Sequence, residues 1–471
     1  MVDKKHASFG GRLLFVGFGS VGQGTLPLIL RHIDMPRERI TILTADDRGR
    51  KEAEHYGVKF VVNPIKPENV QQILGPLLGR GDFLLNLSVD VSSTVLIEYC
   101  LQHGVFYVDT CIEPWHGMYT DGSLPLATRS NYRLREEALA LGRKHPNAAT
   151  VVLTHGANPG LISHWVKQGM LNVARDISGD IDVPKTRDEW ARLAMQLGVK
   201  VIHCAERDTQ AAEPRKQRDE FANTWSVDGF VSEGRQPAEL GWGTHEKHFP
   251  HDGERHGFGC EAAIYLQRPG MSVRVRSWTP DEGPYHGFLI THGEAISIAD
   301  YLTVRENGRP VYRPTCHYAY HPCDDAVLSN HEMGGRNWIT QPKHRILMEE
   351  IFEGVDELGA LLMGHGKGAY WYGSRLSIEQ ARDLAPFNNA TSLQVVVGVL
   401  GAMVWALENP ERGMVEPDDV DYRRVLDIAD PYLGDIVGKY TDWTPLKDRG
   451  WLYKEDVDES DPWQFKNFRV V

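Results

Sequence analysis

Arg12-Leu13-Leu14-Phe15-Val16 runs straight into Gly17-Phe18-Gly19-Ser20-Val21-Gly22, and the reading of this stretch decides the fold. A short apolar run closed by glycine reads as a strand buried on both faces. Beyond the glycines, Thr25-Leu26-Pro27-Leu28-Ile29-Leu30-Arg31-His32 continues with helical spacing. Pro27 fits such a helix only near its start, where no backbone N–H is needed. Arg39-Ile40-Thr41-Ile42-Leu43-Thr44-Ala45-Asp46 alternates and is β-branched, so it reads as a second strand, and Lys59-Phe60-Val61-Val62 as a third. The alternation continues through the strand Asp82-Phe83-Leu84-Leu85-Asn86-Leu87, a helix over 92–103, the strand Val105-Phe106-Tyr107-Val108-Asp109, a helix around 135–144, and the strand Thr150-Val151-Val152-Leu153-Thr154. Strand and helix in strict alternation predict an α/β, doubly wound parallel sheet.

Three glycines in this spacing recur by chance, so their context carries the argument. Here the first glycine follows a strand directly, the third stands where the helix must pack closely on the sheet, and an acid ends the next strand. Asp46 lies 24 residues beyond Gly22, and its carboxylate suits ribose hydroxyls and repels a 2′-phosphate. This predicts a Rossmann-type site for NAD rather than NADP, with Arg48 as the one counterweight. An ordinary tight turn explains the glycines alone, but not the acid. Ligands in open α/β sheets bind beyond the carboxyl ends of strands. Those ends carry Leu87-Ser88-Val89-Asp90, Asp109-Thr110-Cys111-Ile112-Glu113 and His155-Gly156-Ala157-Asn158-Pro159-Gly160. The expected cofactor contacts are therefore Gly17, Gly19, Ser20, Val21, Gly22, Asp46, Ser88, Thr110, Asn158 and Pro159. Asn158 is also explained by plain capping of the helix that follows.

From about 161 the texture changes to longer loops, more Trp and His, and alternating strands such as Ser272-Val273-Arg274-Val275-Arg276-Ser277. A second, mixed α+β domain is expected over 161–385. Residues 1–160 form the nucleotide-binding domain, completed by an apolar helix near 386–408, and 409–471 pack on the core. The net charge of −13 argues against nucleic acid, which requires Lys and Arg on its phosphates. The same acidity would steer a cationic small molecule inward, or only keep the chain soluble. No run of about 18 apolar residues spans a membrane, and the polar Met1-Val2-Asp3-Lys4-Lys5-His6 lacks the apolar stretch of a secretion signal. A cytoplasmic location follows. Cys100, Cys111, Cys204, Cys260, Cys316 and Cys323 show no CxxC, so free thiols and no metal site are expected.

The glycine turn 17–22, the stretch 155–160, Trp225-Ser226-Val227-Asp228-Gly229-Phe230 and Thr291-His292-Gly293-Glu294 resemble the bacterial homospermidine synthases over essentially the whole chain. Saccharopine dehydrogenases and carboxynorspermidine dehydrogenase, broader relatives, share the nucleotide half and the Asn-Pro-Gly turn. The 225–233 segment sets the synthases apart. The resemblance implies that bound NAD oxidises putrescine to an imine, a second putrescine displaces ammonia, and the new imine is reduced to homospermidine. It also implies spermidine as an alternative aminobutyl donor, with release of 1,3-diaminopropane, and a homodimer built through the second domain. It places Glu206, Asp90, Asn158 and Glu113 around the diamine and Glu233 on an amine near the pocket mouth.

The chemistry asks for such residues. A diamine carries an ammonium at each end, so its site needs carboxylates there and an apolar or aromatic wall between. Trp225 can hold a cation over its indole for about 0.5–2 kcal/mol, and a charge that develops along the reaction is the one worth holding. Taken alone it reads more readily as a core tryptophan, and the resemblance reverses that. Hydride leaves only a carbon bearing a neutral amine, so a base must first take a proton. His292 is the expected proton handler because an imidazole titrates in the needed range, with Glu206 or Glu113 able to do the same work. No lysine stands out as a Schiff-base nucleophile. An amino-acid dehydrogenase of the saccharopine type would instead need Arg or Lys forks for substrate carboxylates, and near Trp225 only Arg207 and Arg235 qualify. A third reading is a NAD-binding sensor without turnover.

Overall fold

Leu13–Val16 is buried at every residue, as a strand must be when helices cover both faces of its sheet. In the computed structural model, which describes residues 4–470, it lies within a seven-stranded sheet whose neighbours are all parallel. The spatial order is Met414–Val415, Val151–Val152, Phe106–Asp109, Phe83–Asn86, Leu13–Val16, Ile40–Thr44 and Lys59–Val62. Chain order therefore reverses at Leu13–Val16, which pairs with Ile40–Thr44 on one side and Phe83–Asn86 on the other. This is the Rossmann-type arrangement, and its crevice opens at the carboxyl end of that first strand. Met1–Asp3 of the polar N-terminal stretch, and Val471, lie outside the described residues.

Two elements differ from expectation. The first helix is Ser20–His32, so it begins inside the glycine turn and Pro27 stands in its buried interior rather than near its start. The turn residues themselves form the first helical turn. A proline there removes one ladder hydrogen bond, and packing of this helix against the apolar helix Ala390–Glu408 compensates. The strand expected over 150–154 is only Val151–Val152. Thr154, at φ +47°, turns the chain away and donates its N–H to the Asp109 carboxylate at 2.6 Å.

A second, mixed sheet of eleven strands carries the rest of the chain. Its centre is Val201–Asp208, parallel to Thr315–His321 on one side and antiparallel to Val355–His365 on the other. Glu206 stands two residues short of this strand's end. The helix Leu161–Ser178 leaves the Asn158-Pro159-Gly160 turn and packs on Val355–His365 and Gly368–Ser377. Ala390–Glu408 is long and apolar enough by composition to cross a bilayer, but 89% of its apolar window is buried in the fold, so it is a core helix. Ser, Gln and Gly interrupt its apolar run, which hid its length from a count of consecutive apolar residues. The 409–471 segment does more than pack on the core. It supplies Met414–Val415 as an edge of the parallel sheet and Asp435–Thr441 and Arg469–Val470 to the mixed one.

Candidate active site

At the switch point Gly17 has φ +86°, and a Cβ there would stand 2.6 Å from Ser88 Cα. Only glycine lets the turn lie on the neighbouring strand end. Gly19 caps the Ser20–His32 helix without a side chain, and no acid occupies the first turn. A Cβ on Gly19 would meet nothing within 4 Å, because that residue faces a cleft of about 730 Å³. Unpaired helix N–H groups facing open space make a phosphate site. Gly17, Gly19, Ser20, Val21, Asp46, Ser88, Thr110 and Asn158 all line this cleft. Gly22 does not: its α-carbon faces the Phe18 ring, 3.0 Å from where a Cβ would be, so it serves close packing rather than contact. Pro159 lies beside a smaller adjoining cavity, with His292 and Glu233. Asp46 binds Arg48 through both the backbone N–H at 2.9 Å and the guanidinium at 2.8 Å, and that side-chain hydrogen bond holds its carboxyl below the usual range. The residues present thus fit a dinucleotide.

Beyond the glycine turn the same cleft is walled by residues from both sheets. Glu206 is 2% exposed; it accepts from Asn158 Nδ2 at 3.1 Å and from the Tyr318 hydroxyl. Burial pushes its pKa up, against the pull of the Tyr318 hydrogen bond. Glu113, whose backbone N–H is fixed by Ser93 Oγ at 2.9 Å, is pushed up to about 8 by burial and by the charge of Glu233. Tyr318 stacks on Tyr320 at 5.0 Å between ring centroids, and Tyr320 accepts the Trp225 indole N–H at 3.1 Å. Trp225, half-buried, lines the cleft with Glu113, Glu206, Glu233 and His292.

His292 lies between two carboxylates. Its Nε2 is 3.0 Å from Glu233 and its Nδ1 is 3.3 Å from Glu294. Burial opposes charge on the ring, but Glu294 and Glu233 outweigh it and hold the imidazole well above its ordinary value of 6.5. The sequence reading took the ordinary imidazole value for His292; the two carboxylates favour its charged form instead. Glu233, in the last turn of the helix Val227–Arg235, faces inward with 14% of its side chain exposed. It is Asp90, 48% exposed and 2.9 Å from His116, that stands at the rim. Arg207 pairs with Glu282 and Asp324, and Arg235 with Thr340. Neither lines the cleft, whose single Arg is Arg48 beside Asp46 and which has no Lys.

Tyr318 and Glu294 escaped the sequence reading of roles. Tyr318 and Tyr320 share one face of the strand Thr315–His321, and the Tyr-Ala-Tyr alternation was their only signal. Glu294 follows His292 by two residues, but nothing local says that its carboxylate turns back on the ring.

Residues 13–153 match the saccharopine dehydrogenase NADP binding domain family, and residues 156–441 the saccharopine dehydrogenase C-terminal domain family. A homospermidine synthase of Blastochloris viridis is 56% identical over 465 residues, covering 98% of this chain and 97% of the relative. One from Mesorhizobium japonicum is 52% identical, covering 98% and 96%. Among solved structures, the homospermidine synthase of Legionella pneumophila in complex with NAD superposes with a TM-score of 0.92 at 50% identity, covering 98% of each chain.

Proposed function

The chain belongs to the homospermidine synthase family, and from that premise we propose how its cleft joins two diamines with NAD as the retained hydride carrier. When bound, NAD takes a hydride from the amine-bearing carbon of the first putrescine and returns it to the coupled imine, so no net oxidation occurs. The glycine turn and the open N-terminus of Ser20–His32 hold the pyrophosphate, and Asp46 receives the ribose.

The observation that carries the reading is the chemistry of the substrate end. Glu113, Glu206 and Glu233 line it, with Asp90 at the rim, and among the described residues the cleft's one Arg or Lys is Arg48, paired with Asp46 beside the glycine turn. Such a wall selects ammonium groups and rejects the carboxylates that a saccharopine-type substrate carries. Asn158 and Tyr318 orient Glu206, and Trp225 covers the cationic intermediates. Glu113, whose pKa burial raises to about 8, accepts in its ionised form the proton that must leave an ammonium before hydride transfer. His292, kept charged by its two carboxylates, donates a proton when ammonia departs. Spermidine fits the same wall as an aminobutyl donor, with 1,3-diaminopropane leaving in place of ammonia. The reading extends to a cytoplasmic homodimer with no nucleic-acid partner. It includes a nucleotide domain over 1–160 closed by 386–408, a substrate and dimerisation domain over 161–385, and a C-terminal segment from 409.

The test is to incubate the purified protein with putrescine and catalytic NAD and to follow homospermidine and NADH together. Homospermidine in excess of NAD, with no NADH accumulating, is expected. NADH formed in step with putrescine consumed would favour a dehydrogenase, and silence in both channels a sensor.

A further inference from the structure

Arg48 shares the cleft with two carboxylates, Asp46 and Asp228. Asp46 holds it, through Nε to Oδ2 at 2.8 Å and the backbone N–H to Oδ1 at 2.9 Å. Asp228 stands in the first turn of Val227–Arg235, 3.0 Å from His344 Nδ1. Asp46, Arg48, Asp228 and His344 all line the same space. The pKa of Arg48 is raised first by its hydrogen bond to Asp46, and the charge of Asp228 also reaches it and adds to the rise. These side chains are largely exposed, Arg48 by 77%. Exposed pairs contribute little to folding, so a stability role does not account for the arrangement.

The helix that carries Asp228 also carries the site. Trp225 precedes its Ser226 cap, and Glu233 in its last turn reaches His292. Anything that ties Val227–Arg235 to the nucleotide side therefore closes the cleft over its contents. Asp46 cannot serve two partners with the same lone pairs. Ribose hydroxyls bound to it take the acceptor positions that Arg48 now fills, and a guanidinium stays charged and needs a new acceptor.

We propose that Arg48 is a cofactor-responsive latch: displaced from Asp46 by the ribose, it pairs with Asp228 and draws Val227–Arg235 onto the bound dinucleotide, slowing its exit. The latch rests on NAD occupying this cleft, as the functional reading has it. It gives a physical reason for retention, which a hydride carrier that returns its hydride within one cycle requires. It acts on the helix and not on the reacting atoms, so Arg48 and Asp228 are positioning residues.

The experiment loads the full-length protein with NADH, chases it with excess NAD, and follows release by NADH fluorescence. Wild type, Arg48→Gln, Asp228→Asn, the double variant and Asp228→Glu are compared. Each single neutral variant is expected to release NADH about fivefold faster, the scale of one exposed charge pair. The double variant should be no faster than either single one, and Asp228→Glu should keep slow release. Additive effects, or unchanged release in Asp228→Asn, would overturn the latch. So would an Arg48→Gln variant that alters only the choice between NAD and NADP, since Arg48 would then be a phosphate reader. A wild-type protein that binds no NADH would overturn the functional reading itself, and the latch with it.

Discussion

Trp225 and Glu113 show what single residues contribute, and each carries a prediction. A tryptophan that lines an acidic cleft, anchored at its N–H by Tyr320, acts through its ring on whatever cation sits beside it. Trp225→Phe should keep part of the activity and Trp225→Ala much less, the difference corresponding to about 0.5–2 kcal/mol in kcat. Equal, near-wild-type rates would remove the ring from the chemistry. Glu113 has its acid form favoured by burial up to about pH 8, so the fraction able to accept a proton grows as pH rises through that value. The ascending limb of kcat/KM, which reports the free enzyme, should lie near pH 8. That of kcat, which reports the complex, should lie lower, because a bound ammonium favours the carboxylate. In Glu113→Gln both limbs should change; identical profiles would assign the base elsewhere. At this scale much was legible: Asp46, Asp90, Glu113, Asn158, Glu206, Trp225, Glu233 and His292 do line one cleft. The protonation state of His292 was not legible, because it is set by Glu294 and Glu233 from two separate helices.

Among the elements, Val227–Arg235 matters most to the site, and it is a helix of only nine residues. Short helices depend on their ends. Ser226 Oγ accepts the Gly229 N–H at 3.1 Å, and a lost serine cap costs about 1 kcal/mol. Ser226→Ala should leave the global melting temperature nearly unchanged while loosening Trp225, Asp228 and Glu233 together. The measurement is hydrogen exchange over 227–235, expected to speed up, alongside a raised KM for putrescine. Protection equal to wild type would show that packing rather than the cap fixes the helix. Strand cores such as Leu13–Val16 and Phe83–Asn86 were readable because continuous burial leaves an apolar run. Helix boundaries were less so. Pro27 misplaced the start of Ser20–His32, since a local rule about proline cannot see the helix Ala390–Glu408 packed along it.

For the whole molecule, the two sheets meet at one cleft that gathers Asp46, Asp90, Glu113, Glu206, Asp228 and Glu233 out of a chain of net charge −13. That Leu13–Val16, Ile40–Thr44 and Phe83–Asn86 belong to one doubly wound parallel sheet was legible from strand and helix alternation. The way the mixed sheet carries Glu206 and Tyr318 to the glycine turn was not, because that pairing joins residues more than a hundred positions apart. Burying the acids raises the pKa of Glu113 and Glu206, and the sign of the consequence is definite. A carboxyl whose folded value lies above its ordinary one costs stability once pH exceeds that ordinary value, and the whole cost is present above the folded value. A bound diammonium relieves the cost by giving the carboxylates a partner. Binding below about pH 8 must therefore ionise Glu113 and expel a proton. Putrescine affinity for the NAD-loaded protein should accordingly rise between about pH 6 and 8, by up to tenfold per unit for each proton released. Calorimetry at pH 7 in phosphate and in Tris should give different binding enthalpies, the difference counting the protons, and Glu113→Gln should shrink it. The rise in melting temperature caused by putrescine should likewise be larger at pH 8 than at pH 6. Enthalpies independent of buffer would mean that the cleft is already ionised before the amine arrives, and that the base for hydride transfer is not a buried carboxylate.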